Sequence, residues 1–276
     1  MVSDFQINQA SKSLRKSARL LQNSKKLLFG IGVTGQWLFV IYIVALYGGI
    51  WLSGNYEAVN DHLPHGVIEG DTMGNLALGI HLFIAAIITF GGPLQFIPFI
   101  RNRYPAFHRW LGRTYFLIAF LAAGSGLYMI ITRGAHGGWI NALGNWLNAL
   151  LIMIFSILAW RTAMQRDFKS HRKWAIRAFV MVSGVWFFRI GYGLWLLLTG
   201  FSGIGITADL TGPFDRFLSF GHSIIPLMIL ECYFWAKSQQ NPVVKQRIAY
   251  LLGILAIFLA AGIAMVSMVF WWPALS

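Results

Sequence analysis

The chain alternates long apolar runs with short polar connections, and the length of the runs predicts helices that cross a bilayer. About 20 residues are needed per helical crossing. Seven runs reach that length: residues 28–52, 72–99, 108–132, 139–161, 173–199, 213–237 and 248–272. Strands of a membrane barrel would alternate polar and apolar residues over roughly ten positions. Residues 76–88 instead carry His81 as their one strongly polar side chain. The pattern therefore predicts an all-α fold, a polytopic membrane helical bundle with seven transmembrane helices over residues 28–272. A basic tail, residues 1–27, precedes it.

Composition narrows the class further. Of 276 residues, 57% are hydrophobic and 11% charged, against about 25% charged in a soluble domain. Such a chain cannot cover a globule with polar side chains, which excludes a soluble enzyme and a disordered chain. The 29 glycines and 12 tryptophans suit membrane helices and membrane interfaces respectively. A single cysteine, Cys232, excludes an internal disulfide and an all-cysteine metal site.

Charge sets the expected direction of crossing. Of the 22 lysines and arginines, 19 fall in the amino-terminal tail and in the second, fourth and sixth connections. Six of the nine acids (Glu57, Asp61, Glu69, Asp71, Asp209 and Asp215) fall in the opposite loops. Basic residues are retained on the cytoplasmic side, so the amino terminus is expected inside and the carboxyl terminus outside, in a cell (inner) membrane. The net charge of +13 then reads as topology and contact with anionic lipid, with no role for nucleic acid, because it is divided among short loops. The tail around Leu14, Ala18 and Leu21 reads either as an amphipathic helix lying on lipid or as a disordered topogenic segment.

Ionisable groups inside membrane helices are costly, and each marks a candidate site. His81 and His222 each lie nine residues from the outer end of their spans, at matched depth. His108 and His171 open the third and fifth spans at the inner surface. Two levels of paired histidines are what bis-histidine haem b binding requires, with all four as candidate iron ligands. Tyr115, Gly112, Gly126, Trp174, Gly184 and Trp186 are candidates to line the slots. Arg189 lies eighteen residues after His171, in phase with it on an unbroken helix, and needs an anion: a propionate, a quinone or lipid headgroup, or a carboxylate such as Asp209 or Asp215. Glu231 is out of phase with His222 and is expected to pair with Arg177 or a lysine. His62, His65 and His136 read as surface histidines, of which His62 and His65 offer at most a weak metal site.

Two segments echo each other, His108-Arg109-Trp110-Leu111-Gly112-Arg113 and His171-Arg172-Lys173-Trp174-Ala175-Ile176-Arg177. Their arginines, Arg109, Arg113, Arg172 and Arg177, are candidates to grip phosphates or propionates, or to anchor helix ends. With His81, Gly92-Pro93-Leu94-Gln95-Phe96, Tyr115 and Arg189, these motifs resemble a family of bacterial multi-pass membrane proteins of unknown function, over roughly residues 72–230. That resemblance implies a seven-span membrane protein and supplies no reaction. A looser resemblance to two-haem transmembrane b-type cytochromes implies histidine pairs at two depths, although here the inner pair sits at helix starts.

Three functions follow as expectations. One is membrane electron transfer on one or two haems, with quinol as a possible exchange partner and a redox protein as neighbour. A second is a non-enzymatic assembly subunit or small-molecule transporter, for which Gly30, Gly32, Gly35, Gly253 and Gly262 would pack helices or bind a partner. A third is a seven-span zinc hydrolase, which needs about three histidines at one level where each level offers two.

Overall fold

The computed structural model describes residues 4–63 and 66–275. Among them the chain is all helical. Nine α-helices follow in order: α1 (Asp4–Ser53), α2 (Thr72–Leu94), α3 (Pro98–Arg103), α4 (Pro105–Arg133), α5 (Gly138–Met164), α6 (Phe168–Val182), α7 (Gly184–Leu198), α8 (Pro213–Ser238) and α9 (Pro242–Val266). Six helices are long and apolar enough to cross a membrane, and the pair α6–α7, bent by 54° at its break, brings the number to seven when counted as one span. The expected second span stops early. Pro93 closes α2 at Leu94, and Pro98 then starts the short helix α3, because proline suits a first turn and disrupts an interior one.

The first helix runs 50 residues without interruption. At about 1.5 Å per residue that exceeds by far the roughly 30 Å of a hydrocarbon core. Its amino-terminal half therefore projects beyond the bilayer in line with the first crossing. Leu21, 3% exposed, is packed with Tyr233 and Ala236 of α8 and Ala249 and Leu252 of α9. Lateral packing on these two helices holds the part around Leu21, which is helical and continuous with the first crossing. Nearby, the Lys245 ammonium donates to the carbonyls of Ala236 (3.1 Å) and Lys237 (3.0 Å), where the end of α8 leaves carbonyls without helical donors.

Neighbouring crossings pack in a circuit: α1 on α2, α2 on α4, α4 on α5, α5 on α8, α8 on α7, α7 on α9 and α9 back on α1. The bend allows this. α6 packs chiefly on α5 and α7 chiefly on α9, so the bent pair serves two sides of the bundle. Ser183 Oγ donates to the Phe179 carbonyl at 2.8 Å, a contact that bends helices. Gly184 leaves room for Asn148, whose side chain stands where a Cβ would sit. The end opposite the basic one is tied by Arg133. It reaches Asp71 (Nε 2.9 Å, Nη2 2.7 Å), Asn75 Oδ1 (2.7 Å) and the Gly66 carbonyl (2.6 Å), joining the end of α4 to the start of α2.

Candidate functional site

His81 and Ser125 bring α2 against α4, with Nδ1 and Oγ 2.9 Å apart. The serine hydroxyl also lies 3.1 Å from the Ala122 carbonyl, so its one proton goes either to that carbonyl, with the Nδ1–H of His81 donating to Oγ, or to His81 Nδ1. The state of His222 is fixed. Its Nδ1 lies 3.0 Å from the Leu218 carbonyl, an acceptor only, so Nδ1 carries the proton. The residue is 2% exposed, Phe188 stands edge-on at 5.6 Å, and its Nε2 is buried without a partner. His171 repeats the arrangement at the basic end, with Nδ1 2.9 Å from the Ala159 carbonyl. His222 and His171 are thus held through Nδ1–H with Nε2 available, the tautomer in which metal-binding imidazoles are usually fixed.

The pairing of these rings is uneven. His108 and His171 lie within electrostatic reach of each other, and Nδ1 of His108 is buried without a partner. The helices bearing His81 and His222 do not pack substantially on each other, since α2 leans on α1 and α4 while α8 leans on α5, α6, α7 and α9. His136 Nε2 meets the Ala208 carbonyl at 3.3 Å, and His65 lies outside the described residues. Among the described residues no three His, Cys, Asp or Glu side chains gather as a metal cluster, so the zinc-hydrolase expectation has no ligand set there.

Arg189 sits in α7 with its guanidinium 5.1 Å above the Phe39 ring, and one weak contact, 3.3 Å, to the Val185 carbonyl. Tyr42, Tyr47 and His81 are within its electrostatic reach. Among the described residues no carboxylate lies within ion-pair distance of it. Both acids expected to serve it are engaged elsewhere. Asp215 accepts from Tyr192 (2.7 Å), from the Thr207 backbone (3.0 Å) and from the Gly212 backbone (2.9 Å). Asp209 accepts from the Thr211 hydroxyl at 2.9 Å. The expected alignment of Arg189 with His171 also fails, because the 54° break lies between them.

The arginines of the echoed motifs divide. Arg177 is committed to Glu231, Nε to Oε1 at 2.6 Å and Nη2 to Oε2 at 2.8 Å, and stacks on Trp174 at 4.5 Å. Arg113 stacks on Trp110 at 5.0 Å, while Arg109 and Arg172 are exposed. Of the expected slot residues, Gly126 faces His81, Gly112 faces Gln95, and Tyr115 packs beside Gly92. Gly184 opens no slot, because Asn148 fills it.

Sequence reasoning passed over the buried polar seam between these levels. Gln36 donates to Ser183 Oγ at 2.8 Å, and Asn148 donates to the Met181 carbonyl (3.0 Å) and to Ser223 Oγ (2.8 Å). The available signal was an uncharged amide within an apolar run, a weaker mark than a histidine.

Residues 78–235, more than half of the chain, match the family model described as Predicted membrane protein (DUF2306). No curated protein and no solved structure matches. The chain belongs to this DUF2306 family.

Proposed function

We propose that this member of the DUF2306 family is a membrane electron-transfer protein holding one or two b-type haems through histidine. The observation that carries the reading is the buried, partnerless Nε2 of His222 on a ring fixed through Nδ1. A buried polar atom without a partner is costly unless something unseen satisfies it, and an axial iron ligand needs that lone pair. His171 shares the tautomer. His81 with His222 would serve one level, and His108 with His171 the other.

A bound haem supplies a one-electron iron centre whose potential is set by its axial ligands and surrounding charge. The chain's own contribution is to fix the rings, exclude water around His222, and place the Arg189 cation for a propionate or a quinol oxygen. On this reading the basic end faces the cytoplasm of a bacterial inner membrane, and electrons pass between quinol and a redox partner.

The test is the absorption spectrum of protein purified from haem-replete cells. A reduced-minus-oxidised haem difference is expected, and His222→Ala should abolish it in protein that still folds. Folded, colourless native protein would overturn the reading. A non-enzymatic assembly or transport role would then lead, with the carboxylate-free Arg189 as the place for an anionic solute.

A further inference from the structure

A cleft of about 520 Å³ opens between α4 and α5 at the basic end of the bundle. Arg113 and Arg161 stand at its mouth with Trp110 and Trp160, and Leu117 and Phe120 continue its wall toward the middle of the bundle. Both arginines are exposed, and among the described residues neither is in an ion pair. Ser156 also lines the cleft. It is 1% exposed, and its Oγ has no partner.

The order of these groups along the helices matters. Ser156 precedes Arg161 by five residues, which sets it about 7.5 Å deeper at 1.5 Å per residue. Phe120 follows Arg113 by seven residues, about 10.5 Å deeper on the same rise. From the mouth inward the cleft therefore offers two cations with two indole rings, then hydrocarbon. A phospholipid presents the complementary order: an anionic phosphate, then acyl chains. Indoles favour that interfacial depth, and guanidinium groups favour phosphate.

We infer that this cleft is a binding site for one anionic phospholipid of the leaflet at the basic end. The phosphate would lie between Arg113 and Arg161, and one acyl chain would run along Leu117 and Phe120. This does not depend on haem, because none of the four candidate histidines lines the cleft.

Native mass spectrometry of the purified protein, titrated with dioleoylphosphatidylglycerol or dioleoylphosphatidylcholine, tests it. The first phosphatidylglycerol is expected to bind about tenfold more tightly than phosphatidylcholine, in keeping with the attraction of two arginines for an anionic headgroup. Arg113→Gln with Arg161→Gln should erase that preference. Leu117→Trp, at a position already facing lipid, should weaken phosphatidylglycerol binding with both charges intact, and it serves as the test if the double variant does not fold. Equal binding of the two lipids, or undiminished phosphatidylglycerol binding in folded variants, would overturn the assignment. Displacement by millimolar inorganic phosphate alone would overturn it too, by identifying a phosphate site without a lipid.

Discussion

Asn148 on α5 donates from Nδ2 to the Met181 carbonyl, 3.0 Å away, at the break between α6 and α7. Carbonyls in a last helical turn lose their intrahelical donors, and a membrane interior offers no water to replace them. The same amide nitrogen reaches Ser223 Oγ at 2.8 Å. One side chain thereby satisfies the broken helix and joins α5, α6 and α8.

Asn148→Leu should therefore cost about 2 kcal/mol, roughly two net hydrogen bonds. The measurement is the unfolding transition of purified protein in detergent. Asn145→Ala is the control, since its one side-chain bond, to Asn141 Oδ1, is 3.3 Å long, and it should shift the transition far less. Equal shifts would remove Asn148 from this role.

Close helix approach makes a second prediction. A Cβ at Gly144 would run into the Ser219 backbone carbonyl, and one at Gly193 would come 2.8 Å from the Gly262 carbonyl. Backbone cannot yield as a flexible side chain can, so Gly144→Ala and Gly193→Ala should each destabilise by about 1–3 kcal/mol, the usual cost of overpacking. Gly253 has open space where its Cβ would stand, and Gly253→Ala should be neutral or slightly stabilising. The same detergent unfolding assay ranks the three.

Acid should loosen the end opposite the basic one. The Gly74 backbone N–H, and after it Arg133, hold the Asp71 carboxyl below its ordinary range. A depressed carboxyl pKa contributes stability that is present above the unfolded value, about 3.9, and is lost as pH falls through the folded value. Melting temperature followed downward from pH 5 should drop, and Asp71→Asn should flatten that limb while leaving a lower plateau at neutral pH. An unchanged acid limb in the variant would show that other carboxylates control it.

If the redox reading holds, the charge of Arg189 favours the reduced centre. Arg189→Gln should lower the haem midpoint potential, by about 59 mV for each factor of ten in the one-electron equilibrium, whereas Arg189→Lys should preserve most of it. Potentiometric titration of the purified variants reads the shift. A midpoint insensitive to both substitutions would separate Arg189 from the redox centre.

Much of the fold is legible in the residues because the bilayer demands it. Runs of about 20 apolar residues satisfy their backbone only as helices, and the helices start close to where the polarity changes, as at Thr72 and Pro213. The pairing of Arg177 with Glu231 is legible for a similar reason, since a half-buried cation near a membrane surface favours a counter-charge. Glycine roles are less legible. Gly35 and Gly262 are tightly packed, whereas Gly30 and Gly253 face open space, and their sequence surroundings do not distinguish them.

By itself the sequence determined the candidate crossings and the segregation of basic residues to one end, because these follow from length and charge. Tertiary structure decided azimuth and partner. The bend after Val182 took Arg189 out of line with His171, Asp215 went to Tyr192 and the loop backbone, and His81 turned to Ser125. Rotation about a helix axis and the choice of neighbour depend on how whole surfaces interlock, and that interlocking is a property of the packed bundle that no single stretch of the chain carries.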